Sequence, residues 1–175
     1  MTDRIIAYII MFHTEGALAS SALSSDTAPV LAIDGKYETI FHSTEDGGGE
    51  SYPWIQADLR NTVLVETVTI VNRIAGPDGY DRGNLFKAAE VRSGTQSLES
   101  DFKGPISINV LCGNFQGPGE SGGIYTIKCE KVIASNHITL QLMSVEQTTL
   151  HITEILINEF KSVCEYILKF QIAHY

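Results

Sequence analysis

The chain reads as an all-β protein, an antiparallel sandwich or jelly roll, on three observations. Strong helical periodicity is scarce. Short β-branched runs recur at residues 55–59, 63–71, 88–92, 106–111, 124–128, 137–142 and 150–157, with turn residues between them. Several alternate as half-buried strands do: Val68 and Ile70 against Thr67 and Thr69, Leu150 and Ile152 against His151 and Thr153. Many short strands punctuated by Gly, Pro and Asn build sandwiches, and no fixed-period repeat competes with that reading.

A length of 175 residues suits one domain with a sizeable core. Hydrophobic residues make up 43% and charged residues 19%, a globular balance rather than a disordered one. The net charge of −9 disfavours a nucleic-acid backbone or an anionic membrane as partner. No apolar run reaches the roughly 18 residues a membrane-spanning helix needs. Residues 5–12 are apolar and Ala17-Leu18-Ala19 looks like a small-residue cleavage site, as in a secretion signal. The run is short and Asp3 lies in its charged flank, so a first strand is the preferred reading. Residues 20–30 read as an extended surface segment, and residues 44–51, carrying Gly47-Gly48-Gly49, as a mobile loop. Trp54 reads as a core anchor. The tail, residues 161–175, suits a strand or a short amphipathic helix equally and is set apart from the domain at 1–160.

Three cysteines allow one pair and one left over. Cys112 and Cys129 flank a Gly-rich loop and could close it, a bridge worth about 3 kcal/mol on the chain-entropy estimate. Cys164 would then stay unpaired. The alternative is three reduced thiols in an intracellular protein.

Asp34-Gly35 makes a tight turn, and Thr39 follows five residues after the aspartate. A carboxylate, turn carbonyls and a hydroxyl around one point suit a hard cation such as calcium, with Glu154 as candidate second carboxylate. On spacing alone, the stronger reading is an ordinary turn residue at Asp34 and an exposed strand residue at Glu154. Enzyme patterns are weak. Gly119-Glu-Ser-Gly-Gly123 fits a nucleophile elbow by letter, but lies inside a Gly/Pro loop between cysteines. Gly47-Gly48-Gly49 lacks the Gly-Lys-Ser/Thr of a phosphate loop. No Cys/His cluster has zinc spacing, and His137 and His151 read as exposed or satisfied strand residues.

Several stretches in order carry a resemblance. They are Ala32-Ile-Asp-Gly with Thr39 and Phe41-His-Ser43, Tyr52-Pro-Trp-Ile-Gln-Ala-Asp-Leu59, Val68-Thr-Ile-Val-Asn-Arg73 and Glu90-Val-Arg-Ser-Gly94. Leu111-Cys-Gly113, Ile127-Lys-Cys129, His137-Ile-Thr-Leu-Gln-Leu142 and Leu150-His-Ile-Thr-Glu-Ile-Leu-Ile157 extend it. The chain resembles the F-type lectins (fucolectins) of the discoidin-like jelly rolls over roughly residues 15–158. That resemblance implies a jelly roll with a structural calcium and a shallow fucose site. Asp34, Thr39 and Glu154 match calcium-ligand positions, with Leu31, Lys36 and Thr153 offering carbonyls only. Cys112 and Cys129 match a family disulfide. A second family bridge would fall at Ile40 and Thr153, where both cysteines are absent together.

The sugar signature of the family is His-x24-Arg-x-Asp-x4-Arg. His42 matches the histidine and Arg73 the first arginine, with thirty residues between them (43–72) and the surplus placed in the Gly47–Gly49 loop. Arg82 matches the second arginine, with eight residues between it and Arg73 where the signature has six. Ala75 stands at the aspartate position, and Asp78 or Asp81 is the substitute. Guanidinium groups offer several donors in a fixed fork for sugar oxygens, and Tyr80 or Phe86 would form an apolar wall. The alternative is that Arg73 and Arg82 pair with Asp78 and Asp81 and leave no pocket.

The resemblance therefore implies a secreted, non-enzymatic, calcium-stabilised lectin domain that binds fucosylated or related glycans through His42, Arg73 and Arg82. Weak single sites of this kind act through avidity, as a homo-oligomer or in tandem. The runner-up is a degenerate discoidin-type module that binds a protein partner through residues 44–51 and 74–86. An enzyme accessory module would need a catalytic partner.

Overall fold

The computed structural model describes residues 14–76, 79 and 81–160. The expected strand at residues 5–12 and the tail at 161–175 lie outside them. Among the described residues there are seven strands: β1 (Thr14–Ala19), β2 (Phe41–His42), β3 (Trp54–Asn72), β4 (Ala89–Gly94), β5 (Val110–Phe115), β6 (Ile124–Leu142) and β7 (His151–Glu159). Every named pairing is antiparallel. The helical elements among the described residues are short 3-10 turns. Two of these, Ser25–Thr27 and Pro29–Ala32, interrupt the segment expected to be extended. Ala17-Leu18-Ala19 is part of β1, paired with Gln56 and its neighbours on β3.

The two long strands make the sandwich. The runs 55–59 and 63–71, expected as separate strands, are one 19-residue strand, as are 124–128 and 137–142. Residues 54–58 of β3 pair with 137–141 of β6, and residues 67–71 pair with 124–128. Between those stretches the register slips at Asp58/Val63 and again at Val65/Thr67. Such irregularities bend a strand and raise its twist. All seven strands are hydrogen-bonded as one continuous sheet. The bends in the two long strands fold it into the two layers, or sheets, of the sandwich: one with β1, β4 and β5, the other with β2 and β7. Arg60-Asn61-Thr62 and Glu130-Lys131-Val132 are exposed at the bends.

The inner faces bury one continuous cluster that includes Phe41, Val65, Ile70, Val91, Leu140 and Ile152. The disulfide between Cys112 on β5 and Cys129 on β6 is present and ties the sheets together across it. Trp54 is fully buried, as expected, in a second cluster with Leu98 and Ile106, and its indole N–H donates to the Phe102 carbonyl at 3.0 Å. Phe86 departs from expectation. It is 1% exposed and its ring stacks near Phe115 and Tyr125, at centroid distances of 5.2 and 5.6 Å. A ring enclosed by two other aromatics is core and cannot wall a ligand site.

Candidate functional site

One end of the second sheet gathers the basic side chains. In the order β2-β7-β3, His42 on β2 lies opposite His151 on β7, and Ile152 lies opposite Asn72 at the end of β3. Arg73 follows directly as the chain leaves β3. The loop beyond it runs to a 3-10 turn, Gly83–Leu85, with Arg82 at its N-cap. Tyr80 and Asp78 lie outside the described residues.

Asn72 fixes this loop. It is fully buried, and its side-chain amide donates to the carbonyls of Gly83 (2.9 Å) and Glu120 (2.8 Å). Its Oδ1 accepts the Arg73 amide at 2.9 Å. Both carbonyls can only accept, so the amide orientation is dictated by its partners. The Arg73 carbonyl accepts Gly122 N–H at 2.9 Å, and Ser121 receives the Ala75 amide on its hydroxyl oxygen. A Cβ on Gly83 would meet the Ser121 nitrogen at 2.4 Å, so only glycine lets the two loops approach this closely. Residues 119–123 are therefore a brace for the arginine loop. They lead into β6 rather than a helix, so they do not form a nucleophile elbow.

His42 is 2% exposed. Its Nδ1 faces the Ser43 carbonyl at 2.6 Å and its Nε2 faces Glu45 Oε1 at 3.0 Å. The same carboxylate oxygen accepts a hydrogen bond from the Arg82 guanidinium. Arg82 thus pairs with Glu45 rather than with Asp81, whose carboxylate accepts the Gly83 amide at 2.9 Å. Sequence reasoning missed Glu45.

It also misread His151. That residue is 2% exposed, and neither ring nitrogen has a hydrogen-bond partner. Its ring centroid lies 5.1 Å from that of His42. Burial pushes its pKa down to about 3, and the charges of His42, Arg73 and Arg82 each push the same way. Both guanidinium groups therefore act on one neutral imidazole at the base of the cluster. His137, the other strand histidine, is also nearly buried, with Nδ1 3.7 Å from Asp58 and no hydrogen bond.

The carboxylate site lies further along β7. Glu154 is 2% exposed, opposite Val71, and Oε2 accepts the Gly35 amide at 3.1 Å. It is not the exposed strand residue that spacing alone allowed. Asp34 accepts the Lys36 amide at 2.9 Å and the Thr39 hydroxyl at 3.0 and 3.1 Å. Thr39 also reaches the Lys36 carbonyl at 3.3 Å, while the Thr153 hydroxyl donates to Asn72 O at 3.3 Å. Leu31 belongs to the 3-10 turn that leads into this loop. Burial, and then the charge of Asp34, push the Glu154 pKa up to about 7, against the Gly35 and Lys36 amides. Among the described residues no group of three or more His, Cys, Asp or Glu could hold a metal. Any cation here would rest on two carboxylates, a hydroxyl and carbonyls.

This architecture occurs in solved structures. A fucolectin from striped bass (Morone saxatilis) serum matches with a TM-score of 0.68 at 20% identity, over 83% of this chain and 47% of that one. The fold is an antiparallel β-sandwich shared with these structures. The lectin domain of lectinolysin in complex with Lewis B antigen matches with a TM-score of 0.62 at 17% identity, covering 87% of this chain and 97% of that domain. A family 32 CBM from C. perfringens NanJ, in complex with galactose, gives 0.61 at 17% identity, over 82% and 93%. This chain spans about half the length of the striped bass lectin and nearly all of the other two. No family model and no curated protein matches the sequence. Among the described residues no helix is long and apolar enough to cross a membrane.

Proposed function

We propose that this lectin-like sandwich is a non-enzymatic sugar-binding module that takes fucose, or a sugar of similar hydroxyl pattern, at His42, Arg73 and Arg82. One observation carries the reading. Three adjacent strands and one braced loop bring Arg73, Arg82 and His42 to a single end of a sheet, around the buried His151 imidazole, whose ring nitrogens have no hydrogen-bond partner. An unpartnered buried polar group costs about 1–3 kcal/mol. Such a group is retained where a ligand or water completes it. Charge-assisted donors in a fixed fork suit neutral sugar oxygens. The Cys112–Cys129 disulfide agrees with a secreted protein, and weak sites would gain from a homo-oligomer. A second reading, a protein-binding module with a degenerate site, draws on Glu45, which already occupies two of the three donors.

A glycan array separates them. Retention of fucosylated glycans is expected, and Arg73→Ala should weaken it roughly 10- to 100-fold, the cost of a charged hydrogen-bond donor. Silence across the array from a folded protein would leave the protein-binding reading.

A structural calcium belongs to the same proposal. Asp34, Glu154 and Thr39 would hold it, with carbonyls of Leu31, Lys36 and Thr153. The donor set fits: two carboxylates repel one another in a buried place, and all the ligand atoms are oxygens, as a hard cation prefers. Calcium at 100 times its dissociation constant should stabilise the fold by about 2.7 kcal/mol, and Glu154→Gln should remove that gain. A melting temperature indifferent to both calcium and chelator would discard the cage.

A further inference from the structure

We infer that Glu45 is a specificity-determining residue of this site: its carboxylate holds the His42 and Arg82 donors that a ligand oxygen would use, and so bars sugars carrying a carboxylate of their own. The inference rests on the sugar-binding reading above and names the class of ligand that the site refuses. Oε1 of Glu45 is shared between His42 Nε2 at 3.0 Å and the Arg82 guanidinium. A single oxygen bridging an imidazole and a guanidinium stands where an incoming hydroxyl or carboxylate oxygen would sit.

The mounting of Glu45 differs from that of its partners. His42 is locked in β2 and Arg82 follows a loop braced by Asn72. Glu45 leads into the turn Asp46–Gly48, followed by Gly49, and Gly47, Gly48 and Gly49 all have positive φ (66°, 97° and 103°). Only glycine adopts three such conformations in succession at little cost. Beyond them Glu50 is anchored by its bridge to Thr148. The Glu45 side chain is 37% exposed, leaving room for a neutral hydroxyl to share or displace it. A ligand carboxylate meets like charge instead, and like charges brought together at an interface cost several kcal/mol.

The test compares the full chain with Glu45→Ala and Glu45→Gln, titrated with L-fucose, D-glucuronate and acetate. Calorimetry reads affinity, and the His42 ring resonances report occupancy. Equal melting temperatures establish that the variants fold. The parent should refuse acetate and glucuronate, and both variants should take them with at least about tenfold tighter binding and a shift of the His42 resonances. Fucose, which has no carboxylate, should not share the gain that glucuronate shows in the variants. Equal responses to acetate and glucuronate in all three proteins would overturn the role of Glu45, even with fucose binding intact. If none of them binds fucose but the variants alone take acetate, the sugar reading fails while the role of Glu45 stands.

Discussion

In chelator, the combined contribution of His151 and Glu154 to stability should be flat between about pH 4.5 and 6.5 and fall on either side. The pKa of His151 is lowered from 6.5 to about 3 by burial and by neighbouring positive charge. The unfolded chain therefore takes up a proton near pH 6.5 that the folded chain refuses until pH 3. Stability from this group is complete above 6.5 and lost as pH falls towards 3, by up to about 5 kcal/mol at 1.4 kcal/mol per unit. Glu154 runs the other way. Its pKa is raised from 4.5 to about 7 by burial and by Asp34. Its contribution is complete below 4.5 and lost as pH rises through 7, by up to about 3 kcal/mol. Between 4.5 and 6.5 the folded chain holds one extra proton on Glu154 and lacks one on His151, so the slopes cancel.

Single substitutions should separate the two. In His151→Phe, urea denaturation should show stability rising steadily as pH drops from 7 to 4.5. In Glu154→Gln, stability should instead climb from pH 3 to 6.5. Identical pH profiles for the parent and both variants would show that neither group titrates as its surroundings dictate.

The same two residues show where the sequence was readable. Alternation along β7 placed its strand correctly, because β-branched residues at period two report a pleated, packed surface. It also read His151 as exposed or satisfied, since alternation assumes one wet side. β7 instead lies between β2 and β3, and residues 151–155 are buried in succession. Which strands flank a strand is set by long-range pairing, which local pattern does not encode. β3 and β6 failed differently. Arg60-Asn61-Thr62 looks like a turn because it is polar, yet it is a bend through which one strand crosses between sheets. Phe86 sat near Arg82 in sequence and so read as a wall, whereas Phe115 and Tyr125, which enclose it, come from β5 and β6. The Cys112–Cys129 bridge and the Trp54 anchor were legible because each is tied to a residue type with few other uses. Asp34, Thr39 and Glu154 were named together on the resemblance, and the fold does bring them to one place. Glu45 was not named, since a carboxylate in an acidic, Gly-rich loop has no pattern of its own.

Asn72→Ala should cost about 1–3 kcal/mol and remove sugar binding more completely than Arg82→Ala does. Its amide is the common partner of two loops that also meet through backbone contacts and through the Ser121 hydroxyl on the Ala75 amide. Truncation takes one donor from each of the Gly83 and Glu120 carbonyls, which keep the Phe86 and Gly123 amides, and each hydrogen bond lost is worth about 0.5–1.5 kcal/mol. The functional loss follows from position. Gly83 adjoins Arg82, and the Asn72 Oδ1 holds the amide of Arg73, so one side chain sets the separation of the two guanidinium groups. Asn72→Asp tests this more sharply than alanine, since it keeps the shape and the acceptor for the Arg73 amide. It replaces the donating amide with an oxygen facing two carbonyl oxygens, so it should be at least as destabilising as alanine. Thermal denaturation and fucose titration of both variants, beside Arg82→Ala, are the measurements. If Asn72→Asp melts with the parent and keeps its affinity, the loops are held by their other contacts and the arginine fork does not depend on Asn72.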